Sequence, residues 1–544
     1  IKIAIDKYIV PHDSNIVLDT NQKIHGVSLA AGVFFIIIIL NFVFNFIQVM
    51  IMEYAGQGIM HDLRVKLFAH IQNLPISFFN KTPIGRLVTR NTNDIQNMHE
   101  LFTSVIVFVF KDVFLLGGIA LVLLSIRWQL ALICFTLLPF VIYASFYFSR
   151  RARDAFRTLR IKTSEINTRF SETIAGIKVI QIFRQEAQNY KKLKKVNHEF
   201  YLAGMEQIRI FAMFMPLIEL FNSISLALVI YFGGGSVISE NISLGVLVAF
   251  ISYMRMFFTP IRDISEKYNI LQNAMSSAER IFMILDEPVR KDRDKLNDVI
   301  KSGKIEKIEF DNVFFEYVKD EPVLKGVCFE VNAGETIAIV GPTGSGKTSL
   351  INLIIRFYET LSGQILINSQ DIKKWDVSDL RSRIALVTQD PFLFSDSVKN
   401  NIIQQQDNIS HKAFLEILKA SNCQDIIEKL SDGPDTILSE GGGSISSGER
   451  QLISIARAFA RNPELIILDE ATSYIDSETE MKIQEAVSNL MKDRTSFVVA
   501  HRLSTARNAD NIIVLHKGRV IESGTHDVLM GKQGFYYKLN LLQK

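Results

Sequence analysis

Gly341-Pro342-Thr343-Gly344-Ser345-Gly346-Lys347-Thr348 is the stretch on which the fold of this chain turns. It follows the apolar run Thr336–Val340, which reads as a buried strand, and precedes Ser349–Tyr358, whose apolar spacing is helical. Glycines at a strand-to-helix turn let backbone N–H groups face inward on an anion. A lysine at the helix start reaches outer phosphates, and the hydroxyl beside it suits Mg²⁺. The pattern G-x-x-x-x-G-K-T in this setting predicts a nucleoside triphosphate site held by Gly341, Pro342, Thr343, Gly344, Ser345, Gly346, Lys347, Thr348 and Ser349.

The chain has 544 residues, too many for one ordinary core. Hydrophobic residues make up 48%, which points to membrane segments. The net charge of +3 gives no global case for a nucleic-acid partner. Cys134, Cys328 and Cys423 are scattered singly, so they form neither a disulfide framework nor a metal-ligand spacing. They read as buried thiols in a reducing compartment. Residue 1 is isoleucine, and nothing ahead of the first apolar run resembles a signal peptide.

Five uncharged or nearly uncharged runs are long enough to cross a bilayer: Val27–Met52, Leu101–Ile126, Gln129–Phe148, Ile210–Phe232 and Leu244–Ile261. The Phe148–Arg209 segment carries Arg150, Arg151, Arg153, Arg157, Arg160, Lys191, Lys192, Lys194 and Lys195. The positive-inside rule puts it in the cytoplasm. The C-terminal half needs ATP and lies there too. Five spans then leave Ile1 outside, so the reading expects a further helix upstream. Lys111, Asp112, Glu219 and Arg255 lie in or near the spans, where charges are costly. Glu219 and Arg255 are equidistant from Val237 and are expected to pair if the intervening turn centres there. Phe211, Phe214, Phe250, Tyr253, Phe257 and Phe258 fit either an aromatic substrate path or a lipid-facing surface.

In the second half, Val313, Phe315 and Tyr317 alternate as a strand does, and Tyr317 could stack on adenine or belong to the core. Gln389 follows the strand-like run Ile384–Thr388 and could reach Mg²⁺ or an attacking water. Asp390-Pro391-Phe392-Leu393-Phe394 is an apolar patch that, if exposed, would suit an arriving helix. Ile445-Ser446-Ser447-Gly448-Glu449-Arg450-Gln451 opens a helix, either as an anion site or with a plain N-cap serine. Leu465–Leu468 reads as a strand ending in Asp469, a candidate Mg²⁺ ligand, and Glu470, a candidate base for water. His501 follows a further apolar strand, Ser496–Ala500, and could contact the γ-phosphate.

Taken together and in this order, these motifs resemble the nucleotide-binding domains of ABC transporters. The stretches around Phe78–Asp94 and Phe170–Phe183 look like the intracellular coupling loops of bacterial multidrug-type ABC exporters. The resemblance implies an α-helical polytopic membrane domain of six-helix type, its first helix missing from this numbering, fused to an α/β P-loop ATPase. The expected domains are 1–285 (membrane), 286–303 (linker) and 304–544 (ATPase). It further implies ATP and Mg²⁺ as cofactors and localisation in the cytoplasmic membrane. The function expected is ATP-driven export of a hydrophobic or amphipathic small molecule. Flipping of a lipid or peptide, or a non-transporting regulatory role, are the alternatives.

The family's roles then fall on Tyr317 (adenine), Lys347 and Thr348 (phosphate and Mg²⁺), Gln389 (Q-loop), Asp469 (Walker B), Glu470 (base) and His501 (switch). Glu440 matches the X-loop glutamate and Asp476 the D-loop aspartate. Ser446 and Gly448 would complete the ATP site of a second chain. The consensus L-S-G-G-Q is here Ile445-Ser446-Ser447-Gly448-Glu449, adding a Cβ and a negative charge. That departure resembles the catalytic-glutamate-bearing chain of heterodimeric exporters, so the expected partner is a second, different half-transporter.

Overall fold

The computed structural model describes residues 2–9, 19–289, 303–404, 409–469, 476–500 and 506–543. The chain forms two compact units. One comprises Ile1–Gln72 with Pro83–Glu287, the other Asn73–Thr82 with Pro288–Lys544.

The first unit is helical. Its main elements are α1 (Thr20–Gln72), α3 (Ile95–Glu100), α4 (Val107–Phe135), α5 (Leu138–Ala175), α6 (Glu186–Leu228) and α7 (Leu244–Leu285). The short α2 (Ile76–Lys81) belongs to the second unit. Four helices among the described residues are long and apolar enough to cross a membrane. The fifth expected run, Gln129–Phe148, is not one continuous helix: it begins in α4, passes the Thr136–Leu137 break and ends in α5. Arg127 (φ −159°, ψ 94°) interrupts α4 between the two expected runs Leu101–Ile126 and Gln129–Phe148. Phe34, Phe35, Phe42, Phe44 and Phe46 of α1 stand exposed, as residues bathed by lipid would.

Two sequence expectations fail here. The connection after α6 stays helical as far as Ile238, and α7 starts at Leu244. The turn therefore centres near residue 241 rather than 237. Shifting a hairpin centre by four residues shifts the facing position by eight, about 12 Å along a helix. Glu219 accordingly accepts from Asn222 (3.5 Å) instead of pairing with Arg255. The aromatic candidates are mostly packing: Phe214, Phe250, Phe257 and Phe258 are buried in the core of this unit, with Phe148 against Phe214 at 5.1 Å.

The stretch Arg90–Asp94 forms a π-helical turn, and buried Asp94 (3% exposed) is the hub of a polar cluster. It accepts from Arg280 Nε (3.0 Å) and Nη2 (2.5 Å), from Ser277 (2.9 Å) and from Arg90 (2.8 Å). Asn97 donates to Ser277 at 2.9 Å, so α7 is fastened to the segment entering α3. Asp94→Ala should destabilise this unit by about 2–4 kcal/mol, because Arg280 and Ser277 lose their acceptor. The lower end is expected, since Arg280 remains 34% exposed to solvent. The unfolding midpoint in lipid or detergent measures the loss, and adding Arg280→Leu should recover part of it.

The second unit holds two sheets. The antiparallel one runs β2 (Pro322–Asn332), β1 (Lys307–Glu316), β4 (Ser362–Ile367), β5 (Gln370–Asp371). The other has the order β10-β9-β3-β8-β7-β6, spanning β3 (Thr336–Val340), β6 (Ile384–Val387), β7 (Leu465–Asp469), β8 (Thr495–Val499), β9 (Asn511–His516) and β10 (Arg519–Gly524). All its pairings are parallel except β9 with β10. Strands β3 and β7 are apolar throughout their interiors, and β8 is buried along its whole length, because both faces are covered. Of the cysteines, Cys134 and Cys423 are buried as expected, but Cys328 on β2 is exposed. Burial pushes the Cys423 thiol up to about 12.

Candidate functional site

In an open parallel sheet, ligands gather beyond the carboxyl ends of the strands. Strands β3, β8, β7 and β6 are successive neighbours, so their carboxyl ends share one edge. That edge carries the 341–346 loop after β3, Asp469 at the end of β7 and Gln389 just beyond β6. Segments far apart in sequence are thus brought to one place by the strand order alone.

The loop is shaped by its glycines. Gly344 (φ 80°) and Gly346 (φ 105°) occupy left-handed backbone conformations that a side chain would disfavour. A Cβ at Gly346 would also meet Leu324 at 2.6 Å, and one at Gly341 would strike the Leu515 carbonyl. Helix α8 (Lys347–Ile354) begins at once after the loop. Lys347 is only 5% exposed. Its ammonium folds back to donate to the carbonyls of Gly341 (2.7 Å) and Pro342 (3.2 Å). Ser345, 2% exposed, has a hydroxyl with no hydrogen-bond partner. A buried unsatisfied hydroxyl costs about 1–3 kcal/mol. An anion rich in acceptor oxygens is what such a cradle fits. Ser349 is buried on α8 and Thr348 exposed beside it, while Pro342 is half-buried and Thr343 exposed.

Gln389 is exposed and Asp469 half-buried. Asp469 pairs in register with Val499 of β8. Glu470 and His501 lie outside the described residues. A hydroxyl, an amide oxygen and one carboxylate are hard oxygen donors, the set Mg²⁺ takes when phosphate and water supply the rest. Tyr317, 41% exposed, stands just past the end of β1 and accepts from Asn352 of α8 at 3.2 Å.

The other sequence candidates belong to separate elements. Ser446 is the N-cap of α9 (Ser447–Arg461) and forms a capping box. The Ser446 N–H donates to the Glu449 carboxylate (2.8 Å), and the Ser446 hydroxyl accepts from the Glu449 N–H (3.2 Å). Gly448 is buried in the first turn. Asp476 is likewise an N-cap, of α10 (Ser477–Met491). The Thr479 backbone N–H donates to it at 2.9 Å and holds its carboxyl below the usual range. Glu440 opens the short turn Glu440–Gly442. Phe392 and Phe394 are 59% and 58% exposed, edge to face, on either side of buried Leu393.

Sequence reasoning missed the residues that tie these pieces together. Gln451 of α9, 1% exposed, donates to the Thr388 carbonyl (3.3 Å). Arg457 donates to the carbonyls of Phe392 (3.1 Å) and Asn401 (2.8 Å), and Asn401 in turn donates to Phe394 (3.0 Å). Helix α9 is therefore tied to the Gln389 segment by side-chain hydrogen bonds. A polar residue inside the apolar stripe of α9 was the available signal for Gln451.

A strand-edge triphosphate loop on a chain that also carries membrane-crossing helices defines a membrane-bound P-loop ATPase. Known families agree and sharpen this. Residues 2–261 match the family model of the ABC transporter transmembrane region, and residues 324–473 match that of the ABC transporter. An uncharacterized ABC transporter ATP-binding protein of Bacillus subtilis, YknV, is 40% identical over 498 residues, covering 92% of this chain and 82% of its own length. The ATP-dependent lipid A-core flippase of Syntrophus aciditrophicus is 38% identical over 500 residues, covering 92% and 83%. The ATP-bound structure of a bacterial Atm1-family ABC exporter superposes with a TM-score of 0.79 at 24% identity, over 96% of this chain and 91% of that one. The chain belongs to the ABC transporter family, in its exporter form. It is a multi-pass protein of the cytoplasmic membrane that couples ATP hydrolysis to transport.

Proposed function

We propose that this chain is one half of a two-chain exporter, moving a hydrophobic or amphipathic small molecule by alternating access. In this reading residues 1–285 form the membrane domain, 286–303 the linker and 304–544 the ATPase domain. The convergence of the 341–349 loop, Gln389 and Asp469 on one sheet edge carries the assignment of the ATP site. Loop amides and Lys347 grip the phosphates, Tyr317 stacks on adenine, and Glu470 takes the proton of the attacking water. His501 and Gln389 orient that water and the γ-phosphate. Thr348, Gln389 and Asp469 would hold Mg²⁺, which neutralises charge on the phosphates when bound. Ser446 and Gly448 face the ATP of the partner, with Asp476 beside them.

The capping box is the reason for preferring a different partner over a second copy. Glu449 places a carboxylate on the N–H of Ser446, one of the donors a facing γ-phosphate would use. The Ser447 side chain hinders close backbone approach as well. The ATP site completed by this signature is then the weaker one, and the site on this chain's own loop is completed by the partner's signature. Replacing both residues in one variant, Ser447→Gly with Glu449→Gln, should raise ATP turnover of the lone chain in lipid at least about tenfold, equivalent to roughly 1.4 kcal/mol of barrier. Unchanged turnover in a lone chain that is already active would mean that the two departures are tolerated, and a homodimer would become the better reading.

For the cargo, similarity to a relative named as a lipid A-core flippase supports an amphipathic molecule drawn from the bilayer. Proteoliposome assays should compare a labelled phospholipid with an amphipathic dye. ATP-dependent movement of the dye alone supports a drug-like cargo, whereas movement of the lipid alone supports the flippase alternative. Movement of neither would argue against both.

A further inference from the structure

Tyr358 lies two residues beyond a sharp turn. Arg356 takes φ 54°, and its guanidinium donates to the Trp375 carbonyl at 2.7 Å. Arg381 braces the carbonyls of Ile355 and Arg356 at 3.1 and 3.0 Å. This turn follows the end of α8 at Ile354 and brings Tyr358 back beside the end of β1. There Tyr358 meets Tyr317 edge to face, with ring centroids 5.0 Å apart at 90°. Buried Phe315 touches both rings, at 4.7 and 5.6 Å. On the other side, the Asn80 side-chain amide donates to the Tyr358 hydroxyl at 2.6 Å. Asn80 sits on α2, in the Asn73–Thr82 segment that follows the helix α1 in sequence yet packs within the ATPase unit.

Tyr317 is therefore fixed at two points: its hydroxyl by Asn352 of α8, its ring by the edge of Tyr358. The tilt of Tyr358 depends in turn on Asn80. We propose that Asn80 and Tyr358 are positioning residues for the nucleotide base, setting the tilt of the Tyr317 ring so that seating of α2 and stacking of adenine favour each other. The proposal rests on the reading of Tyr317 as the adenine platform. Linkage makes the effect reciprocal: if seated α2 tightens base binding, bound base holds α2 seated by the same factor. Because α2 joins two membrane-crossing stretches, base occupancy would be felt in the part of the ATPase unit that comes from the membrane half.

The test uses the full-length transporter in lipid, with its partner half where activity requires it. Two constants are measured: KM for ATP, and the inhibition constant of Mg-tripolyphosphate, which has no base. Asn80→Ala and Tyr358→Phe should each raise the ATP KM about threefold, the scale of one lost hydrogen bond. Both should leave kcat and the tripolyphosphate constant unchanged, and the double variant should be no worse than either single one. Tyr317→Ala is the control. If it leaves the ATP KM unchanged, the platform reading fails. If it raises the KM while neither Asn80→Ala nor Tyr358→Phe does, the platform stands and the positioning role is overturned. Equal weakening of ATP and tripolyphosphate, or additive effects in the double variant, would also overturn it.

Discussion

Glu470→Gln is expected to lower ATP turnover by about 10²–10³-fold while ATP binding persists. Strand β7 is apolar for four residues and then delivers Asp469 to the carboxyl edge of the sheet, and Glu470 is the next residue in the sequence. The change keeps shape and hydrogen-bonding reach but removes the only feature a base requires, a carboxylate that accepts a proton. Steady-state ATPase in lipid measures the loss, and binding of a fluorescent ATP analogue measures what remains. A variant that kept more than about a tenth of its turnover would place the base elsewhere.

Lys347→Ala should lose about 10²-fold in turnover by a different route. Its ammonium is buried against the loop carbonyls of Gly341 and Pro342, so it sits inside the cradle rather than over it. Without it, the loop keeps its amides but loses its positive charge, and the negatively charged phosphates bind more weakly. The ATP KM should therefore rise sharply for Lys347→Ala and stay nearly constant for Glu470→Gln. The same KM for both variants would contradict the division of roles between them.

The ATPase fold was legible because its signals are local and short-ranged. The octet at Gly341–Thr348 and the apolar runs at Thr336–Val340 and Leu465–Leu468 each declare a strand or a strand-to-helix turn without outside help. ATPase activity and, with the later motifs, family membership followed from them, whereas membrane location was read from the five apolar runs between Val27 and Ile261. What the sequence hid depends on register and on distant contacts. Glu219 and Arg255 missed each other because helix persisted to Ile238, a boundary that residue spacing leaves open. Phe214, Phe250, Phe257 and Phe258 turned out to be core, since in an all-apolar helix composition alone does not reveal which face is covered. Tyr358, Asn352 and Asn80 carry no motif; they come together only once α8 ends and the chain turns at Arg356. At Ser446 the sequence left a plain N-cap serine and an anion site open, and the reciprocal hydrogen bonds with Glu449 decide for a capping box.

We propose that this chain's own loop forms the competent ATP site and that a second, different half completes it. ATP turnover in lipid should be measured for this chain alone and for this chain paired with a second, different ABC half, each with and without Glu470→Gln in this chain. Turnover is expected only in the pair, and it should be abolished when Glu470→Gln is placed in this chain. Equal turnover by the lone chain, or turnover of the pair that survives Glu470→Gln, would contradict the proposal.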